Sequence, residues 1–395
     1  MKVKFFKPFI TGNEIKYIKD LLVKGKDLSG DGEYTKKVHA FLEKRYHVPK
    51  ALLTTSGTTA LEMAVRLLNL KHGDEVIVPS FTFSSTINAV LLICGVNVVF
   101  AEIQSDTLNI DPKDIERKIT RHTRAIIVVH YAGVAADMDK IMSLARKHKL
   151  RVIEDAAQAI ESKYKRRYLG TIGDIGCLSF HDTKNITSGE GGALFINSSD
   201  RVLHEKAEIL REKGTNRSKF FRGEIDKYTW VDVGSSYLPS EILAAFLLAQ
   251  LERIEMISRM RMQKYEYYRK MLDKHEKKES FRLPLVPKFA RHNAHIFYLI
   301  FQSQTHRDYV LGYLRKHGVA ASFHYVPLHS SPQGRKLGNR VRNLPITTQV
   351  SECLLRLPLY ADMKKPEQDF VIKKLREAVS HIEENVKLDL GDPRL

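Results

Sequence analysis

The chain reads as an α/β fold: a mostly parallel, seven-stranded sheet flanked by helices, with a smaller α+β region after it. Two observations carry that expectation. Seven short apolar runs fall in the first three-fifths: Ala51–Thr54, Glu75–Val78, Asn97–Ala101, Arg124–His130, Arg151–Glu154, Cys177–Phe180 and Ala193–Ile196. Several are continuous β-branched runs, the pattern of strands covered on both faces. Helical periodicity fills the gaps. Thr58 to Leu68 puts Leu61, Ala64, Val65 and Leu68 on one stripe, and Asp137 to His148 does the same with Ile141, Leu144 and Ala145 behind a capping Asp137. Strands alternating with helices argue for parallel crossovers.

A long helix is expected from Ser240 to about Leu272, leading into the smaller part, so the domains are placed at 1–250 and 251–395. Pro284, Pro287 and Arg291-His292-Asn293 mark a loop. Ile296–Phe301 reads as a strand, His306–His317 as a helix stopped by Gly318, and Ala320–Tyr325 as a second strand. Gln333–Arg342 reads as a loop, Ser351–Leu357 and Pro366–His381 as helices, and the residues from Val386 as a frayed end.

With 395 residues, 43% of them hydrophobic and 28% charged, the chain can bury two cores. No apolar run approaches the roughly 20 residues of a membrane span, and the N-terminus lacks the apolar stretch of a signal peptide. Cys94, Cys177 and Cys353 are odd in number and far apart, which suits free thiols in a reducing cytoplasm. The formal net charge is +18. Its basic residues are scattered, with only short clusters such as Lys163-Tyr164-Lys165-Arg166-Arg167 and Lys277-Lys278. No metal-ligand spacing and no nucleic-acid-binding signature accompanies them. The charge suits an anionic small substrate better.

The chemistry centres on Lys184, in Ser179-Phe180-His181-Asp182-Thr183-Lys184-Asn185, and on Asp155, at the end of Val152-Ile153-Glu154-Asp155. A lysine that can carry an aldehyde and an acid that can hold a pyridinium nitrogen are what pyridoxal phosphate chemistry needs. Each residue alone has a plainer reading, a solvated lysine or a turn-forming acid. Thr55-Ser56-Gly57-Thr58-Thr59-Ala60 follows a strand and opens a helix, where free backbone N–H groups bind phosphate; Ser56 is equally a simple N-cap. Phe81, in Pro79-Ser80-Phe81-Thr82-Phe83, could stack on a planar ring or belong to the core. Ser179 and His181 share one face of a strand end, and Gly189-Glu190-Gly191-Gly192 permits a tight turn beyond the lysine.

Together these segments resemble the nucleotide-sugar aminotransferases of the DegT type, which have the aspartate aminotransferase fold (pyridoxal phosphate fold type I). The resemblance extends through Gly73-Asp74-Glu75-Val76, His130-Tyr131-Ala132-Gly133, Glu154-Asp155-Ala156-Ala157-Gln158 and Phe323-His324-Tyr325-Val326-Pro327-Leu328-His329. It implies that Lys184 carries pyridoxal 5'-phosphate and moves protons, and that Asp155 keeps the ring nitrogen protonated. Gln158 would bind the ring oxygen, Gly57, Thr58 and Ser179 the phosphate, and Phe81 would stack on the ring; His181, on the same strand-end face as Ser179, would point at the cofactor. Many relatives complete the phosphate site with an asparagine from a second subunit. Ser236 stands at that place here, which implies a homodimer or a dimer of dimers.

Arg211–Arg217 and Phe220–Trp230 resemble the branch that makes dTDP-4-amino-4,6-dideoxygalactose, with L-glutamate as amino donor. Lys213, Arg217 and Arg222 would then meet the sugar's diphosphate, and His324, Tyr325 and His329 would close over the sugar. Three other readings stay open: a transaminase giving the gluco epimer, one acting at C3, and a non-catalytic regulatory or binding protein of the same fold.

Overall fold

The computed structural model describes residues 1–25, 27–93, 95–276, 281–337 and 343–390. Five strands come first: β1 (Lys50–Thr54), β2 (Glu75–Pro79), β3 (Asn97–Ala101), β4 (Thr123–Val129) and β5 (Arg151–Asp155). A two-residue pair, β6 (Lys163–Tyr164) and β7 (Arg167–Tyr168), precedes β8 (Ile175–Ser179) and β9 (Gly192–Ile196). Seven of these form one sheet in the order β1-β9-β8-β5-β4-β2-β3, and only β9 runs against the rest. All seven apolar runs expected from the sequence are strands of this sheet.

The burial explains why those runs look continuous. Every residue of β2, β8 and β9 is buried. Successive side chains alternate between two cores. Ile77, Val128, Val152 and Phe195 enter one. Val76, Val78, Ile127 and Ile153 enter the other, beneath the helix Gly57–Leu67 with its Leu61, Ala64 and Val65. That helix starts on a reciprocal cap: Ser56 Oγ accepts from the Thr59 N–H at 3.1 Å, and Thr59 Oγ1 accepts from the Ser56 N–H at 3.0 Å. The helix Met138–His148 covers the first core with Ile141 and Ala145.

Several expectations for the C-terminal half need correction. The single long helix is two, Glu241–Leu251 and Ile254–Glu276, because the chain turns at Glu252–Arg253. The first is buried nearly all round in the large core, and the second carries Tyr265, Tyr268 and Leu272 into a separate cluster. The short strands β10 (Phe281–Arg282) and β11 (Ala290–Arg291) precede β12 (Phe297–Phe301), as expected for the last, and then comes β13 (Leu354–Leu357). The order β10-β12-β13 forms a small antiparallel sheet, while β11 joins β6 and β7.

The stretch Ser351–Leu357, expected as helix, is therefore split: the helix is Pro345–Cys353, and the apolar run after it pairs with β12, Phe297 opposite Leu357. So short an apolar run has no period to distinguish helix from buried strand. The expected strand Ala320–Tyr325 is not one. Ser322 makes a lone bridge to Arg356, after which His324 and Tyr325 leave the sheet to stack on each other. Within Gln333–Arg342, residues 332–336 are a helix, and 338–342 lie outside the described residues. The last helix, Lys365–Leu390, continues past the point where fraying was expected. Gly318 ends the helix Gln304–Lys316 with φ 82°, as its position suggested. Cys177 and Cys353 are buried free thiols; Cys94 and Lys277-Lys278 lie outside the described residues. No described helix is long and apolar enough to cross a membrane.

One remote carboxylate ties the N-terminal helices to the large core. Glu241, 1% exposed, accepts from the N–H groups of Gly32 at 3.1 Å, Tyr34 at 2.7 Å and Thr35 at 3.0 Å. These donors open the helix Glu33–Tyr46, whose own Gly32 cap offers no side chain. Glu241→Gln removes the charge and offers N–H where acceptors are needed. It should lower stability by about 1–3 kcal/mol, seen as a lower urea midpoint for the first unfolding transition. An unchanged midpoint would contradict the anchoring role.

Candidate active site

The carboxyl ends of β1, β2, β4, β5 and β8 lie along one rim of the sheet, where open α/β folds hold ligands. A cavity of about 660 Å³ opens there, within the size range of ligand pockets. Among the residues expected to act, Gly57, Thr58, Asp155, Gln158, Ser179, His181, Lys184, His324 and Tyr325 all line it.

Asp155 ends β5 and is 6% exposed. Its Oδ2 accepts from the Thr86 hydroxyl at 2.8 Å and its Oδ1 from the Ala157 N–H at 3.1 Å. Burial pushes its carboxyl above the usual range, while the two donors and the Lys184 charge work against the rise. Lys184 sits on the turn between β8 and β9, its N–H bonded to the His181 carbonyl at 2.9 Å. Burial pushes its amine down to about 8; Asp155 opposes the shift and Arg356 adds to it. A lysine so placed has a neutral, nucleophilic fraction near neutral pH that an ordinary lysine lacks.

The floor beside them is built for close approach. A Cβ on Gly57 would stand 2.8 Å from the Ser179 Cβ, so no side chain fits between that helix start and the end of β8. Thr58 Oγ1 lies 2.7 Å from Ser85 Oγ, which adds a second hydroxyl to the same corner. Free N–H groups at this helix start, with hydroxyls around them, suit a phosphate. Over the cavity, Gln158 donates to the Tyr325 hydroxyl at 2.6 Å and accepts from the Ala132 N–H at 2.7 Å. His324 stacks on Tyr325 with centroids 3.7 Å apart and bonds the Tyr131 hydroxyl at 2.7 Å. His181 is at the mouth, 3.6 Å from Glu190.

Other expected residues are elsewhere. Phe81 is 1% exposed, packed against Tyr131 and Tyr325 in the core rather than against the cavity. Phe83, 61% exposed, lines the cavity instead. The chain leaves β2 at Pro79, so strand alternation no longer says which aromatic faces the rim. His329 is also a correction. It is buried, held by Ser80 Oγ at 2.7 Å, and does not line the cavity.

Arg222 is engaged by Glu208 at 2.8 Å and Glu224 at 2.7 Å. Arg217 lies over the Phe221 ring, and Lys213 takes a left-handed turn (φ 63°). None of the three lines this cavity, and neither does Ser236, which is exposed and bridged to Glu212. Sequence reasoning missed Thr86, Ser85, Phe83 and Arg356. The first three follow Pro79-Ser80 within one short segment, but Arg356 is hidden in the apolar run of β13.

The chain belongs to the DegT/DnrJ/EryC1/StrS aminotransferase family, whose model matches residues 8–376. It is similar to GDP-perosamine synthase of Vibrio cholerae, 31% identical over 90% of this chain and 93% of that one. It is also similar to the spore coat polysaccharide biosynthesis protein SpsC of Bacillus subtilis, 31% identical over 94% and 96%. Among solved structures, Spr1654 of Streptococcus pneumoniae in its PMP form superposes with a TM-score of 0.90 at 26% identity, covering 98% of this chain and all of that one. Its PLP form matches at 0.89. The protein is a sugar aminotransferase that uses pyridoxal phosphate, and the Lys184–Asp155 cavity with its Gly57–Ser179 corner fits that cofactor.

Only a neutral amine adds to the cofactor's aldehyde. The shift of Lys184 from 10.5 to about 8 is downward, so the reactive form predominates above about pH 8. Apoprotein should therefore take up pyridoxal phosphate at a rate that rises with pH and levels off near that value in stopped-flow absorbance. A rate still climbing steeply toward pH 10.5 would place the lysine in water.

Proposed function

We propose that the protein moves the amino group of L-glutamate to C4 of dTDP-4-keto-6-deoxy-D-glucose, giving dTDP-4-amino-4,6-dideoxy-D-galactose and 2-oxoglutarate. The observation that carries the reading is that Lys184 and Asp155 share one cavity with a corner of N–H groups and hydroxyls at Gly57, Thr58 and Ser179. Bound there, pyridoxal phosphate supplies a ring that withdraws electrons from the donor's Cα. Lys184 holds the cofactor at rest and, once released, moves the Cα proton. Asp155, fixed by Thr86, keeps a proton on the ring nitrogen. Gln158 donates to the ring oxygen. Phe83 takes the flanking place first expected of Phe81, and His181 stands at the mouth.

The exposed Ser236 suits a contact with the phosphate in a second copy, so we read the working unit as a cytoplasmic homodimer or a dimer of dimers. Residues 1–250 form the cofactor-binding unit in this reading and 251–395 the smaller one. The galacto, dTDP-linked product rests on the likeness of the segment 213–230. A second reading, a GDP-linked sugar, is favoured by the relatives named GDP-perosamine synthase.

Parallel incubations of L-glutamate with the dTDP-linked and GDP-linked 4-keto-6-deoxyhexoses, read by NMR of the product, separate the two. An amine at C4 of the dTDP sugar in the galacto configuration is expected. A C3 amine, a gluco product or turnover of the GDP sugar alone would remove the closer assignment. Asp155→Asn should still load the cofactor but slow transamination by on the order of 10²-fold or more, about 2.7 kcal/mol in the barrier. Near-normal turnover would mean that another group holds the ring nitrogen.

A further inference from the structure

Tyr131 has no role in the reading above, yet its hydroxyl holds a ring that lines the cavity. It stands in the short turn after β4, 1% exposed, packed against Phe81 and Tyr298 with ring centroids 5.0 and 5.9 Å apart. Its hydroxyl lies 2.7 Å from His324 Nδ1 and, among the described residues, has no other hydrogen-bond partner. His324 lines the cavity. Tyr325 covers one face of the imidazole at 3.7 Å, and Phe81 meets it edge to face at 6.4 Å, so the ring is held in one orientation. Among the described residues no hydrogen bond reaches its Nε2, and that atom is not closed off from solvent.

The proton between the two side chains belongs to the tyrosine. Burial holds the Tyr131 hydroxyl well above the usual phenol range, so it keeps its hydrogen. Were His324 to donate through Nδ1–H, the phenol hydrogen would be left in a closed core with no acceptor, the most unfavourable state of a buried polar group. The phenol therefore donates and Nδ1 accepts. The imidazole is neutral, because burial foremost, then the Arg356 and Lys184 charges, hold it well below its usual range. A neutral ring with a bare Nδ1 carries its hydrogen on Nε2.

We propose that Tyr131 is a positioning residue that fixes His324 as the Nε2–H tautomer, so that His324 offers the cavity a neutral hydrogen-bond donor for an oxygen of the keto-sugar. The chemistry of the donor selects the ligand. The cofactor's phosphate and the amino acid's carboxylates are ions, bound best by charged groups. The uncharged acceptors in the reaction are the sugar's ketone and hydroxyl oxygens. A ketone oxygen can only accept. The opposite tautomer would turn a lone pair toward it.

The inference rests on the sugar half of the proposed reaction, and its first arm needs no substrate. Holoenzyme carrying 15N-labelled histidine is examined by long-range 1H–15N NMR, with the His324 signals assigned by their absence from His324→Gln. The wild type should show a bare Nδ1 and a protonated Nε2, and Tyr131→Phe should show a mixture of tautomers. The second arm is a double-mutant cycle on wild type, Tyr131→Phe, His324→Gln and the double variant, with melting temperature and bound-cofactor absorbance as controls for folding. Cofactor in the amino form, mixed with the nucleotide keto-sugar, reads the sugar half-reaction; loss of the bound-cofactor absorbance on adding L-glutamate reads the other. Tyr131→Phe should slow the sugar half-reaction by roughly 2–10-fold, the weight of one neutral hydrogen bond. It should have no further effect in His324→Gln, whose amide N–H donates without help from the phenol. The glutamate half-reaction should be largely spared.

A protonated Nδ1 in the wild type would overturn the proposal, and so would a tautomer unchanged in Tyr131→Phe. Equal slowing by Tyr131→Phe in both backgrounds would make the tyrosine a packing residue only. Equal slowing of both half-reactions would remove the sugar as the ligand. If wild type does not accept the dTDP-linked sugar, the choice of substrate is wrong; the cycle then runs with the keto-sugar it does use, and the role of Tyr131 stands or falls on the same comparison.

Discussion

The rest of the site depends on one constraint: a carboxylate and an amine are withdrawn from water into the same cavity. Taking either out of water is unfavourable unless the fold compensates it. Asp155 is compensated by the Thr86 hydroxyl and the Ala157 N–H, and Lys184 by the loss of its proton near pH 8. Both need a rigid rim. The parallel strands supply it because β5 and β8 are buried on both faces and register Asp155 opposite Cys177.

Strand alternation divides the work of two adjacent acids. Asp155 faces the cavity. Glu154, fully buried, turns the other way and accepts from the N–H groups of Gly170 at 2.9 Å and Gly173 at 2.6 Å and from the ring of His130 at 2.9 Å. Burial alone would raise the Glu154 carboxyl, but these donors, His130 foremost, hold it below the usual range. It stays ionised as a clamp between β4, β5 and the turn before β8. One acid fixes the frame so that the other can be held in place for chemistry.

Much of this was legible in the sequence. The seven strands announce themselves because residues buried on both faces leave continuous apolar runs. Asp155 and Lys184 stand out because each follows such a run at the same rim. The misreadings have a common cause, which is that the sequence does not say where a chain goes once it leaves a strand. Phe81 and Phe83 exchange places because the chain bends after Pro79. His329 is drawn away from the cavity by Ser80. His324 and Tyr325 turn inward where a strand was expected, and β13 looks helical because a run of four residues, three of them leucine, carries no period. Arg356 was invisible for the same reason: nothing in Leu354–Leu357 says that its one charged side chain reaches a cavity built mainly by residues some two hundred positions earlier.

The central claim is that Lys184 carries the cofactor. Holoenzyme reduced with borohydride and digested with protease should yield one peptide bearing the phosphopyridoxyl group in mass spectrometry. The account predicts that peptide to contain Lys184, with the label absent from Lys184→Ala. A label on any other lysine, or one that survives the substitution unchanged, would contradict it.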